Sequence, residues 1–338
     1  RRVPGGGLRL GGMLRWRRKG GVGDGACSIA GDTVVSMATI NPEMSRSVAR
    51  WLSGAGPSVS ATQARAVVDQ LHSQARRAPE IVADVTGLSE AAAAAQEIPV
   101  FVVDRAGWAK AAADSAGGLL GPALAAGTGK LADFFGSAEL ALGASVLAAR
   151  VLGQYDPLAK RLLLVAPNAA AFAAKYSLDR RDLSLWISVH ELTHAAQFAA
   201  APWIVDYLVS RLRSLLEQDD VDFEGGSAAE AMSMMSLLEG HAEFVMNAVP
   251  LSLMPSKRRL VSSMERRRAA KNPLKSALSK AFGLDLKAAQ YRRGSAFVDA
   301  VVDVVGHAGF NKVWESPLHA PTPEEIDAPS AWIQRVGA

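Results

Sequence analysis

The sequence predicts a mainly α-helical fold with a small β component. Three observations carry this. From about residue 45 onward, most segments space their apolar residues as a helix does. Only two short runs, 98–105 (IPVFVVDR) and 161–168 (RLLLVAPN), have the aliphatic character and the bounding turn residues of strands. Cys27 is the single cysteine, which excludes a disulfide scaffold within the chain and any cysteine-rich metal site. With 338 residues, 49% of them hydrophobic, the chain can build a sizeable core.

Residues 1–36 hold seven of the 37 Lys/Arg but only two of the 33 Asp/Glu, so the remainder carries 30 bases against 31 acids. This Gly/Arg-rich extension lacks apolar periodicity and is expected to be disordered. It does not start with Met, and Met37 would make a sensible first residue. Arg15–Lys19 is followed by Gly20–Gly25 where a signal peptide needs an apolar stretch. No later run offers about 18 uncharged apolar residues. These features predict a soluble, cytoplasmic protein without membrane contact, and residues 37–338 read as one domain.

The elements follow in order. Helical spacing covers 45–52 and 60–77, the second opening on Ser/Thr caps and closing near Pro79. The first strand spans 98–105. An Ala-rich helical region runs from 106 to about 152, broken by glycines. The second strand spans 161–168, and an Ala-rich loop separates Asn168 from Ser177. A helix over about 180–200 carries HELTH, an amphipathic helix follows Pro202, and a loop spans 219–227. A long apolar helix over about 228–249 stops at Pro250. The basic segment 257–293 has few aromatics to stack bases and no nucleic-acid motif, so it reads as a solvated helical face or loop. The Pro-rich tail is expected to wrap the surface.

The chemistry concentrates in HELTH. His190 and His194, four apart on a helix, aim two imidazoles at one point. Glu191 is rotated about 100° from His190. It can flank a metal without ligating it and take a proton from a metal-bound water. A catalytic zinc uses three protein ligands and one open position. The third comes from LLEGHAEF, where Glu239 and Glu243 sit four apart on an otherwise apolar helix. Buried carboxylates there need a cation to offset their cost. Glu239 is assigned as ligand, with Glu243 as acceptor for the free N–H of a ligating imidazole and as fallback ligand. His241 points about 200° away from Glu239 around the helix. The implied cofactor is Zn²⁺. For the developing oxyanion, Tyr291 is the first donor candidate and His307 the second.

The blocks RVLGQYDPL (150–158), RLLLVAPN, LWISVHELTHAAQFAAAPW (185–203), LLEGHAEFVMNAV (237–249), KAAQYRRGSAFVDAVV (287–302) and PTPEEIDAPSAWIQRV (321–336) resemble an actinobacterial family of zincin-like metallopeptidases of unknown function. The family is often labelled as associated with biosynthesis of the deazaflavin coenzyme. The resemblance runs from about residue 45 to the end in the family's block order. It implies a zincin-like fold, and it likens EGHAEF to the Glu-bearing stretch of gluzincins, which supports Glu239 as ligand. The family more often has Asp where Glu243 stands.

The leading expectation is therefore a zinc-dependent hydrolase, a metallopeptidase acting on a peptide or protein substrate. The alternative is a non-catalytic, zinc-containing binding or scaffold protein. A third reading, an acidic-partner or nucleic-acid binder using 257–293, has no motif behind it. Glu191 separates the first from the second, because a structural zinc needs no base. Oligomeric state has no signal in the sequence.

Overall fold

Ser60 starts the first helix by a reciprocal cap: its hydroxyl accepts from the Gln63 N–H while the Gln63 side chain accepts from the Ser60 N–H. The structure is a computed structural model that describes residues 56–126, 147–216, 225–269 and 284–338; within these, the side chains of 116–126, 216, 268–269 and 284–292 are not described. The expected extension 1–36 and the helix over 45–52 lie outside the described residues, as does part of the Ala-rich region.

Helix α1 (Ala61–Thr86) does not close near Pro79, contrary to the expectation from sequence. Pro79 is buried inside it, and the helix ends at Gly87, whose φ of 71° is the left-handed conformation of a helix terminus. Proline removes one backbone hydrogen bond. Here the buried stripe Leu71, Ala75, Ala78, Ile81 and Val82 holds the helix together across that gap. Helix α2 (Ser89–Gln96) follows, then strand β1 (Val100–Val103) and helix α3 (Arg105–Ala126).

Strand β2 (Gly153–Asp156) and strand β3 (Arg161–Val165) complete a three-stranded sheet ordered β1-β3-β2. β1 runs parallel to β3, and β2 runs antiparallel to it with Gly153 opposite Leu164. The sequence reading missed β2, because GQYD has no alternating apolar pattern. Its turn is held instead by Asp156, which accepts from Arg161 Nε at 3.0 Å and from the Ala159 N–H at 3.1 Å.

The segment expected as an Ala-rich loop is helix α4 (Ala166–Tyr176), entered through Pro167 in its first turn. Helix α5 (Arg180–Ala200) bears HELTH and is capped by Asp179, which accepts from the Asp182 N–H. Asp182 in turn accepts from the N–H and hydroxyl of Ser256, both at 2.7 Å. Helix α6 (Trp203–Leu216), helix α7 (Gly226–Ala248) and helix α8 (Lys257–Ala269) come next. Helix α9 (Leu284–Phe310) is two helical pieces joined at Gly306, with φ 68° and ψ 176°. The tail does not merely wrap the surface. It forms α10 (Pro323–Asp327) and α11 (Pro329–Val336), and buries Trp332 completely against Phe297.

Two large apolar clusters result. The first gathers α1, α4, α5 and β3 around Leu71, Phe172, Leu185 and Val189. The second gathers α9 and the tail around Phe297, Val301, Phe310 and Trp332. Helix α7 serves both: Met234, Leu237 and Leu238 lie in the second, Val245 and Met246 in the first. Where α7 crosses α9, the backbones touch. A Cβ on Gly294 would fall 1.9 Å from Ser236 O, and one on Gly240 would fall 2.3 Å from Gly294 C.

Candidate metal centre

Helix α5 is buried from Asp182 to Gln197 except at three residues: His190, Glu191 and His194. The apolar residues between them face the first cluster, so the motif occupies the helix's one partly open stripe. Glu239, reached from α7, closes the group. His190 Nε2 lies 3.3 Å from His194 Nε2 and 3.5 Å from Glu239 Oε2, and His194 Nε2 lies 3.8 Å from Glu239 Oε1. Zinc bonds of 2.0–2.2 Å in tetrahedral geometry hold ligand atoms about 3.4 Å apart. The two histidine nitrogens match that spacing, and with one ligand atom from each residue the three lie within 4.8 Å of one another, near enough to converge on one ion. Among the described residues this is the one His/Cys/Asp/Glu group so arranged. His190 and Glu239 keep about a quarter of their side-chain surface exposed, at 26% and 27%. That leaves room for a fourth, exchangeable ligand.

Glu191 stands beside this group. The Tyr155 N–H of strand β2 donates to its Oε2 at 2.8 Å. A Cβ on Gly153 would meet Glu191 Cγ at 2.9 Å and Ile187 Cγ2 at 2.7 Å, so the strand lies flat on α5. Burial pushes the Glu191 carboxyl up to about 7; His194 and the Tyr155 N–H pull against this, and Glu239 adds to it. A carboxyl titrating there can both accept and return a proton near neutrality.

Behind the ligands, Gln197 Oε1 lies 2.9 Å from His194 Nδ1. Gln197 Nε2 donates to Leu238 O at 2.9 Å and lies 3.0 Å from His241 Nδ1. His190 Nδ1 lies 3.1 Å from Met246 Sδ. His241 is fully buried and stacks on Phe310 with ring centres 5.0 Å apart. Burial, with His307 and His194 adding to it, lowers its pKa to about 3, so the ring is neutral.

The structure brings together His190, His194, Glu191 and Glu239. Glu243 lies one turn further along α7, partly buried. His241 faces away from the ligand group, as its angular position requires. Tyr291 falls in α9, where its side chain is outside the described residues. His307 follows the Gly306 break and packs on Phe244, with ring centres 5.0 Å apart and its Nε2 sealed from solvent. Sequence reasoning missed Gln197, although its place three residues after His194 was a usable signal. It also missed Gly153 and the Tyr155 N–H, since a backbone donor leaves no mark on side-chain identity.

A mostly helical body with two histidines on one helix and a glutamate on another has the side-chain arrangement of a HExxH-type metal site. The family model for zincin-like metallopeptidases matches residues 40–234 and 226–333, and the chain belongs to that family. Among solved structures, the chain is similar to a crystal structure described as "a putative hydrolase with a novel fold", from Chloroflexus aurantiacus. Identity is 30%, the TM-score is 0.66, and the match covers 88% of this chain and 99% of the other. No curated protein matches the chain.

Proposed function

We propose that the protein is a zinc-dependent hydrolase, and specifically a peptidase. The observation that carries this is Glu191, held by the Tyr155 N–H beside a three-residue ligand set near enough to converge on one ion. His190, His194 and Glu239 would hold the ion. Zinc, when bound, supplies a lowered pKa for a coordinated water and polarises a carbonyl. Glu191 takes the proton from the attacking water and returns it to the departing amine. Tyr155 keeps the carboxylate aimed by occupying Oε2. Tyr291 is the first candidate to donate to the oxyanion; the sealed Nε2 of His307 places it second. Glu243, one turn from Glu239, is proposed to steady a ligating imidazole beside the role Gln197 fills at His194.

The substrate is proposed to be a peptide or protein, with no nucleic acid or membrane partner. Among the described residues no helix is long and apolar enough to cross a membrane. A cytoplasmic location is proposed as well, on the single cysteine of the chain. The actinobacterial and deazaflavin associations enter no step of this chemistry.

The test is a peptide-library cleavage screen with and without chelator, beside zinc analysis of two variants. Glu191→Gln is expected to lower cleavage by at least about a hundredfold while about one zinc per chain remains. Glu239→Ala is expected to weaken zinc retention itself. Loss of zinc in Glu191→Gln with retention in Glu239→Ala would reassign the ligands. Zinc binding with no cleavage of any peptide would favour a scaffold role.

A further inference from the structure

We propose that Gln197 and His241 form a positioning pair behind the metal ligand His194, fixing which of its nitrogens faces the ion and how the ring is held. This rests on the zinc reading of the site. His194 Nε2 is the nitrogen directed at His190 and Glu239. A neutral imidazole that ligates through Nε2 carries its proton on Nδ1. That N–H has Gln197 Oε1 at 2.9 Å, the only atom of the amide able to accept. The amide orientation follows. Its two hydrogens go to Leu238 O and His241 Nδ1. Turning the amide over would set an NH₂ against the His194 N–H and an oxygen against Leu238 O, two contacts with no proton between acceptors or with one too many.

His241 Nδ1 is then an acceptor, and its proton sits on Nε2. That atom is buried and has no hydrogen-bond partner among the described residues, beside Phe310, Trp314 and His307. An unpaired buried N–H is costly, and a phenylalanine at the same place would avoid that cost. What His241 supplies and phenylalanine does not is the acceptor for Gln197. The polarity therefore runs in one direction, from His194 through Gln197 into the second apolar cluster. Outer partners of this kind change metal affinity by about 10–100-fold.

The experiment is competition for Zn²⁺ against a chromophoric chelator, using the full chain. Gln197→Leu is expected to weaken zinc binding by about 10–100-fold. His241→Phe is expected to weaken it by about 3–10-fold in the parent and not at all in the Gln197→Leu background, because the two act as a unit. An equal cost of His241→Phe in both backgrounds would sink the pairing, as would a Gln197→Leu affinity within about twofold of the parent. Should the variants fail to fold, ¹⁵N NMR of histidines in the zinc-loaded parent decides. A proton on His194 Nδ1 and on His241 Nε2 is expected, and a proton on His241 Nδ1 overturns the assignment. A parent that binds no zinc overturns the zinc reading together with this inference; a parent that binds while the variants are unchanged overturns the inference alone.

Discussion

At the scale of single residues, the site depends on an absent side chain. Gly153 lets β2 lie against Glu191, and any Cβ there would press on Glu191 Cγ. Gly153→Ala is expected to displace the carboxylate from the Tyr155 N–H. Cleavage should fall by about tenfold or more while zinc content stays near the parent's, since no ligand is touched. Steady-state kinetics with zinc analysis checks this, and unchanged kcat/KM would show that the strand yields instead. The group His190, His194 and Glu239 that the structure brings together was legible in the sequence because metal ligation restricts residue type and, on one helix, spacing. Glu239 was legible because a catalytic zinc takes a third ligand beyond the two histidines, and LLEGHAEF offers a carboxylate for it on a second helix. Gln197 was not read, since the ligand count calls for no glutamine. Tyr155 was not read because it acts through its backbone.

At the scale of elements, the crossing of α7 and α9 sets where Glu239 stands. Gly240 and Gly294 let the helices approach until backbone meets backbone. Gly294→Ala cannot be absorbed by a rotamer change, because the atom it strikes is a main-chain carbonyl. Overpacking costs typically about 1–3 kcal/mol, and more when backbone must move. A clear fall in melting temperature is expected, with weakened zinc binding as α7 shifts. A melting temperature within a degree or two of the parent's would refute the tight crossing. Helices with a strong apolar stripe or a clear cap, such as α5, were legible in the sequence to within a few residues. β2 was not, because it is an edge strand fixed by Asp156 and by its fit on α5. Helix α1 outran its expected end because tertiary burial outweighed the proline. The tail deceived because its prolines sit at helix starts, at Pro323 and Pro329, where they favour a helix.

At the scale of the whole molecule, the tail is clasped by a charge pair. Arg335 donates to Glu325 Oε1 at 2.6 Å and Oε2 at 2.8 Å, and the Thr322 N–H donates at 3.0 Å. The Arg335 hydrogen bonds hold the Glu325 carboxyl below its usual pKa. A carboxylate whose folded pKa is depressed adds stability above its unfolded value of about 4.3, and loses it as pH falls through the folded value. Glu325→Gln is therefore expected to be less stable than the parent at neutral pH. The gap should narrow as pH drops below about 4. Denaturant melts at several pH values test this, and a gap that widens in acid would reverse the sign.

The sharing of α7 between two apolar clusters has a consequence for local opening. His190 and His194 ride on a helix of the first cluster, while Glu239 lies on α7 between Leu238 of the second and Val245 of the first. An ion held by all three bolts one cooperative unit to the other. Ligand binding to the folded form stabilises it by about 4 kcal/mol at a thousandfold excess over Kd, and here that energy falls on the seam. Stripping the ion should quicken amide hydrogen exchange along α7 and α9 well before it does so in β3. Uniform acceleration over all elements would mean that the clusters open as one block.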